Sequence, residues 1–352
     1  MPAYHPALDS PELLAWPAIR ANDVQWRGLL IGNGASIAVA DSFAYPSLLA
    51  VARSGDIAHP LSAPAAQVFA ELGTSNFEFV LASLKLARRI CEATGVDARS
   101  FEPLYGEVQQ SLFEAVGHVH VPWEIVQAQT LSRIRAELVN YTRVFSTNYD
   151  LLVYWSIMRE GNPNDFRDFF WGDEGFFDPA NTETWGVPTL VHYLHGGVHL
   201  RRTESGGTLK RAAEGQNLLF QFQTDWASDV SPLLVSEGTS TDKLRSINSS
   251  DYLSFAYGSF ARHQGNLVVF GNGLGDQDNH LVHAINQWDS PPWNPRQIAV
   301  SIRPRRAGHA IRQEKARLAL RLPHADLWFY DADTHPLGQP NVRPQLFGRD
   351  LL

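Results

Sequence analysis

One cysteine, Cys91, stands in 352 residues. That scarcity excludes an intramolecular disulfide framework and any cysteine-rich zinc site. Long apolar runs are missing too, and nothing approaches the roughly 20 residues of a membrane-spanning helix. The start, Met1-Pro2-Ala3-Tyr4-His5, lacks a basic stretch followed by an apolar one, so no secretory leader is expected. Positive charge is in deficit: 29 Lys and Arg face 37 Asp and Glu, for a formal net charge of −8. No global field therefore draws the chain to nucleic acid or anionic membrane. Arg303-Pro304-Arg305-Arg306 is a short basic exception, read as a solvated loop or a phosphate contact. No repeat, low-complexity tract or Pro/Gly/Ser linker divides the chain. The expectation is a soluble, cytoplasmic, single-domain protein spanning residues 1–352.

What is present is a series of short apolar runs. They are Leu29–Ile31, Val144–Phe145, Leu190–Leu194, Leu233–Val235, Leu267–Phe270, Ile298–Ile302 and Leu327–Tyr330. Several are continuous rather than alternating, which suits strands covered on both faces. Helical patterns fall at His280–Trp288 and Arg312–Leu322, between the later runs. The alternation predicts an α/β fold, a Rossmann-like doubly wound parallel sheet. A helical insertion over about residues 61–141 is expected after the first βα unit. Within it, Ser75-x-x-Glu78 reads as a capping box, and a helix is predicted from about Trp123 to Leu138.

Four of these strands end in polar turns. Gly32-Asn33-Gly34-Ala35-Ser36 follows the first and reads either as a tight turn or as a loop whose N–H groups hold a phosphate. In the phosphate reading Gly34 gives the backbone access to pyrophosphate, so Gly34→Val should weaken binding in a folded protein. The usual dinucleotide fingerprint is incomplete, with Ile37 in place of its third glycine. Ser146-Thr147-Asn148-Tyr149-Asp150 is either a helix cap at Thr147 or Asn148 or the polar floor of a pocket. His195-Gly196-Gly197 puts a histidine suited to general base work beside glycines that leave room for a ligand. His192, His195 and His199 do not form a metal site by spacing, because the glycine pair breaks their alignment and a strand would face His192 and His195 oppositely. The fourth turn, Gly271-Asn272-Gly273-Leu274-Gly275-Asp276-Gln277-Asp278-Asn279-His280, either caps a helix at Asp278 or Asn279 or contacts a ligand.

In their order the turns resemble the sirtuin-like family. Its members carry a glycine loop after the first strand, an Asn-x-Asp segment and a His-Gly pair. Gly32–Ser36, Asn148-Tyr149-Asp150 and His195-Gly196 match these, and Gly271–His280 looks like the glycine and acidic loop of the bacterial anti-phage members. Ser236-Glu237-Gly238-Thr239-Ser240 also looks family-like, without an assigned role. The resemblance covers roughly Leu29 to Ala284. The four zinc-binding cysteines of protein-deacylating sirtuins are absent, which disfavours deacylation and favours the branch that hydrolyses NAD.

The resemblance implies an NAD glycohydrolase that cleaves NAD to nicotinamide and ADP-ribose and depletes NAD in phage defence. NAD would be the substrate, with no prosthetic group and no metal. Asn148 would hold the ribose or the attacking water, His195 would act as base, and Asp150 would orient Asn148 or the nicotinamide amide. Gly32, Asn33, Gly34, Ala35, Ser36, Thr147, Gly196, Gly271, Asn272, Gly273, Asp278 and His280 would contact the dinucleotide. Phe170, Trp171 and Phe176 form either an aromatic lid or surface packing. Control is expected from a homo-oligomer or a separate activating protein, with no membrane or nucleic-acid partner. The alternative is a non-catalytic module that binds NAD or ADP-ribose and regulates a partner.

Overall fold

The computed structural model describes residues 8–123, 125–126, 128–158, 164–171, 175–186, 188–203, 206–211, 218, 231–288, 295–304, 306–339 and 342. The strands are β1 (Trp26–Ile31), β2 (Arg143–Ser146), β3 (Phe166–Arg167), β4 (Thr189–Tyr193), β5 (Gly196–Arg202), β6 (Thr208–Lys210), β7 (Ser231–Leu234), β8 (Asn266–Phe270), β9 (Gln297–Ile302) and β10 (Asp326–Asp331). Up to β2 the helices are α1 (Trp16–Arg20), α2 (Asn33–Val39), α3 (Tyr45–Arg53), α4 (Ala63–Glu71), α5 (Phe77–Thr94), α6 (Phe101–Val119) and α7 (Ala128–Leu138). After it come α8 (Leu152–Met158), α9 (Ser240–Asn248), α10 (Asp251–Ala261), α11 (Asn279–Asn286) and α12 (Gly308–Arg321).

Seven strands form one parallel sheet in the order β10-β9-β8-β1-β2-β4-β3. Helices flank it, giving a mixed α/β, Rossmann-like architecture. The apolar runs explain the middle of the sheet: Leu29, Leu30, Val144, Phe145, Leu267, Val268 and Val269 are fully buried, as strands covered on both sides must be. From β1 the chain adds β2, runs to the edge strand β3 and inserts β4 between them, and later continues on the other side of β1 with β8, β9 and β10. The order reverses at β1, and open α/β sheets bind ligands beyond the carboxyl ends of their strands at such a point. Register keeps those ends level. Ile31 lies opposite both Ser146 and Phe270, and Ser146 lies opposite Tyr193.

Three local expectations are corrected. Leu233 and Leu234 do not join the parallel sheet but lie in a separate antiparallel one, β6-β5-β7. Gly196 makes this possible: its φ is +77°, and a Cβ there would lie 1.8 Å from the Leu233 carbonyl oxygen. The glycine serves this close pairing and does not make room for a ligand. The cap of α5 is Asn76 rather than Ser75, its side chain accepting from the Phe79 N–H at 3.2 Å. Glu78, which a capping box would fold back, turns inward instead. Helix α7 begins at Ala128 rather than near Trp123, because Pro122 opens a turn that takes the Ile125 N–H at 3.0 Å.

The aromatic segment after β3 is packing. Phe170 and Phe177 lie 4.5 and 5.3 Å from the Tyr252 ring, and both are buried. Exposed Phe176 bridges to Leu209. Residues 172–174 of this segment lie outside the described residues, as do Arg305 and Met1 to His5. No helix among the described residues is long and apolar enough to cross a membrane.

Buried histidines set the acid limit of the fold. Burial lowers His192 and His335 to about 3, and His263 and His280 to about 4. A depressed histidine leaves stability intact above its unfolded pKa of about 6.5 and removes it as pH falls toward the folded value. At pH 5 each of the four costs about 2 kcal/mol. Together that is comparable with the roughly 5–15 kcal/mol that holds a typical domain. Thermal melts from pH 7.5 to 4.5 should show the melting temperature falling steeply below pH 6.5, with unfolding near pH 5. A flat profile would mean these histidines already carry charge in the fold.

Candidate functional site

Four turns meet at the level strand ends. The turn after β2 is held to β1 by Thr147, whose N–H and hydroxyl both donate to the Ile31 carbonyl, at 2.9 and 3.1 Å. The helix cap expected at Thr147 or Asn148 is made by Asp150, whose Oδ1 accepts from the Leu152 N–H at 2.8 Å. That leaves Asn148 for other work. Its Nδ2 donates to Ser36 Oγ at 2.8 Å, and Ser36 in turn donates to Asp150 Oδ2. A chain Asn148–Ser36–Asp150 thus fixes the amide, all three side chains being buried. Asn148 Oδ1 has no hydrogen-bond partner, although an unsatisfied buried acceptor is costly. Behind Asp150, His120 Nδ1 lies 2.9 Å from the Val121 carbonyl while Nε2 accepts from the Leu151 N–H at 2.8 Å.

A cleft of about 220 Å³ opens over these turns. Asn33, Thr147, Asn148, Asp150, His195, Gly271, Asn272, Gly273 and Asp278 line it, as the sequence reading brought them together. Its apolar wall, Phe43, Tyr45, Leu48, Leu112 and Val116, comes from α3, α6 and the chain before α3. Gly32, Gly34, Ala35, Ser36, Gly196 and His280 stand outside the lining.

The glycines of the first turn hold other backbone, not a ligand. The Gly34 N–H donates to the Gly271 carbonyl at 2.8 Å, and the Ala35 N–H to the Gly32 carbonyl at 2.9 Å. A Cβ on Gly34 would lie 2.5 Å from Gly271 Cα, and one on Gly32 would lie 2.6 Å from Asn272 Cα. The first and fourth turns are pressed against each other. This corrects the expectation for Gly34→Val, whose branched side chain strikes Gly271 before it reaches any ligand.

His195 is 2% exposed, and its Nε2 lies 2.9 Å from His280 Nε2. Burial, then Lys243 and His280, holds its pKa well below the usual value, so it is neutral at pH 7. The predicted cap at Asp278 does not form, since its side chain makes no capping bond. Its carboxylate instead meets Lys243 Nζ at 3.1 Å and Asn272 Nδ2 at 3.3 Å.

Lys243 and Glu78 are cleft residues that the strand ends alone do not point to. Lys243, 1% exposed, also pairs with Glu78 Oε2 at 3.0 Å, and both line the cleft. Burial raises the Glu78 pKa in spite of Lys243, whereas for Asp278 burial is outweighed by Lys243, His195 and His280 together and the pKa falls to about 2. The signal available was helical spacing: Lys243 and buried Ile247 are four apart, on one face of α9. Ser236–Ser240 gains a role here. Gly238 packs on α5, where a Cβ would lie 2.0 Å from the Ala82 nitrogen, and Thr239 caps α9, accepting from the Asp242 N–H at 3.2 Å.

The three histidines of the β4–β5 region are dispersed. His192 faces another cavity, and His199 stacks on Tyr154 at 4.9 Å. A different trio converges, since ligand atoms of His195, Asp278 and His280 lie within 4.8 Å of one another. Such a set can hold a divalent ion, but the Lys243 ammonium already places positive charge on Asp278.

The turns and the cleft all fall within one family match. The chain belongs to the DUF4917 family. The model of this family, described as a domain of unknown function, matches residues 29–337. The match opens inside β1, at Leu29, and closes after β10, so the DUF4917 domain contains the other six strands of the parallel sheet, the end of β1 and every turn of the cleft. No curated protein matches the chain.

Two variants test this construction. Gly34→Val should lower the melting temperature or yield insoluble protein; a parental melt would show that the two turns tolerate separation. Lys243→Met strands two carboxylates and should cost about 3–5 kcal/mol in denaturant unfolding. Part of that loss should return when Asp278→Asn is added, and an unchanged midpoint would deny the ammonium its holding role.

Proposed function

We propose that the cleft hydrolyses NAD at the bond between nicotinamide and ribose C1′. The observation that carries the reading is the pairing of Asn148, its Oδ1 unpartnered, with neutral His195 beside one cleft at the ends of adjacent strands. Nicotinamide leaves readily because its ring nitrogen gains an electron pair as the positive charge is discharged. The ribose passes through an oxocarbenium-like state that fixed dipoles stabilise. Asn148 Oδ1 accepts from a ribose hydroxyl or from the attacking water. Water forms the new C1′–O bond and gives its proton to His195, so NAD and water yield nicotinamide, ADP-ribose and a proton. Asp150 acts through Ser36 to orient Asn148.

A second cavity of about 340 Å³ supports a substrate longer than the cleft alone would hold. It is lined by Gly34 together with Asp41, Arg303 and Asp333. A dinucleotide crossing the edge of the sheet would place its second nucleotide there, next to Arg303, whose guanidinium suits phosphate. The same reading takes residues 1–352 as one cytoplasmic sirtuin-like domain with a helical insertion over about 61–141. Its cellular role is NAD depletion in anti-phage defence, under control of a homo-oligomer or an activating protein.

Nicotinamide release from NAD, measured where the parent protein is active, decides the matter. Asn148→Ala and His195→Ala should each lose on the order of a hundredfold or more in rate with melting temperatures near the parent's. Release at the parental rate by either variant would remove the assignment. Turnover should also survive chelators, because no metal takes part in this scheme; about one zinc per chain by elemental analysis, with activity lost on its removal, would replace His195 as base by a metal-bound water.

A further inference from the structure

A cavity of about 360 Å³ lies away from the cleft, toward the beginnings of β2 and β4. Its walls include Arg143, Phe169, Trp185, His192 and Phe255, with Glu183, a solvent-exposed carboxylate, also in the lining. Three independent features mark it. Arg143, the first residue of β2, is half-buried and forms no ion pair among the described residues, and a second cation, Arg262, acts on it. His192 is 1% exposed, and its Nδ1 has no hydrogen-bond partner. Phe169 holds φ at +72°, a conformation that bulky residues avoid and that concentrates at ligand sites. Its ring is thereby set 5.0 Å from His192 and 4.7 Å from Phe255.

An unpaired arginine, an unsatisfied imidazole and a wall of aromatic rings make complementary demands. The arginine requires an anion, preferably one that accepts two of its N–H groups. The imidazole offers one more hydrogen bond, and the rings stack on a flat, apolar body. Trp185, 87% exposed, stands where it would cover such a body from outside. We infer that this cavity is a second binding site for a small anion carried on a planar ring, of nucleoside-monophosphate or aromatic-carboxylate chemistry. The site is separate from the cleft but shares its strands. Arg143 begins the strand that leads to Asn148, and His192 precedes His195 by one turn of chain. A ligand here therefore rests on the two strands that present the cleft residues.

The test is a titration of the full chain with 5′-AMP, benzoate and inorganic phosphate, followed by tryptophan fluorescence. At least one of the two ring-bearing anions should saturate with a Kd below about 1 mM, phosphate should be much weaker, and the better of AMP and benzoate identifies the anionic group. The signal should vanish in Trp185→Phe and persist in Asn148→Ala. Affinity should drop tenfold or more in Arg143→Gln, the loss expected for a charge-assisted pair. Ser259→Phe, which fills the cavity from α10 without touching the charge, should also abolish binding and covers the case of an unstable Arg143 variant. The inference is overturned if neither ring-bearing anion saturates, or if the folded variants at Arg143 and Ser259 keep parental affinity. It is equally overturned if binding is lost in Asn148→Ala but unchanged in Trp185→Phe, which would place the ligand in the cleft.

Discussion

One buried ammonium joins three parts of the molecule that share no strand pairing. Lys243 reaches Glu78 on α5, and Asp278 at the start of α11, from its own place on α9. Removing three charges from water is expensive, and the attraction among them recovers the cost only with close geometry and further hydrogen bonds. One such bond is the donation of Asn272 Nδ2 to Asp278. Tyr149, whose hydroxyl lies 3.5 Å from Glu78 Oε1, donates to the Val235 carbonyl at 2.5 Å, tying the polar turn after β2 to the chain that leads into α9. An apolar trio of the same volume would pack as well. It would not leave the cleft floored by charge with His195 and His280 held neutral above it.

The legible part of the sequence was the part written in short apolar runs. Each run in the parallel sheet ends where a polar turn begins, and level registers put those turns on one edge, so Asn148 and His195 were identifiable together. What escaped had other causes. β5 begins with two glycines, a pair that signals a turn, although here Gly196 bends the chain directly into a strand. Ser75 and Asn76 are both good caps, and only the inward turn of Glu78 decides between them. Lys243 reads as a solvated helix charge until the carboxylates brought to it by other elements are known.

The glycines illustrate a more general ambiguity. A Gly-Asn-Gly turn after a strand is the same signal whether the approaching group is a phosphate or another turn. In this fold the nearest neighbour of Gly34 is Gly271, and the hydrogen bond between them uses an N–H that a phosphate would need. The missing third glycine of the dinucleotide fingerprint was thus an informative departure, since Ile37 belongs to a helix whose start is set by protein contacts. The first turn therefore offers no nest of backbone amides, and the polar groups facing the cleft are side chains, Asn148 among them.

The apposition of the two turns also has a consequence in time. Asn148 and His195 are both synthesised well before Gly271, yet the cleft has no wall on that side until Gly271 docks on Gly34. At roughly 5–20 residues per second, the interval between His195 and Gly271 leaving the ribosome is on the order of ten seconds. During it the nascent chain carries Asn148 and His195 beside a cleft that is still open on the side of Gly271, and a chain broken off before β8 never closes it.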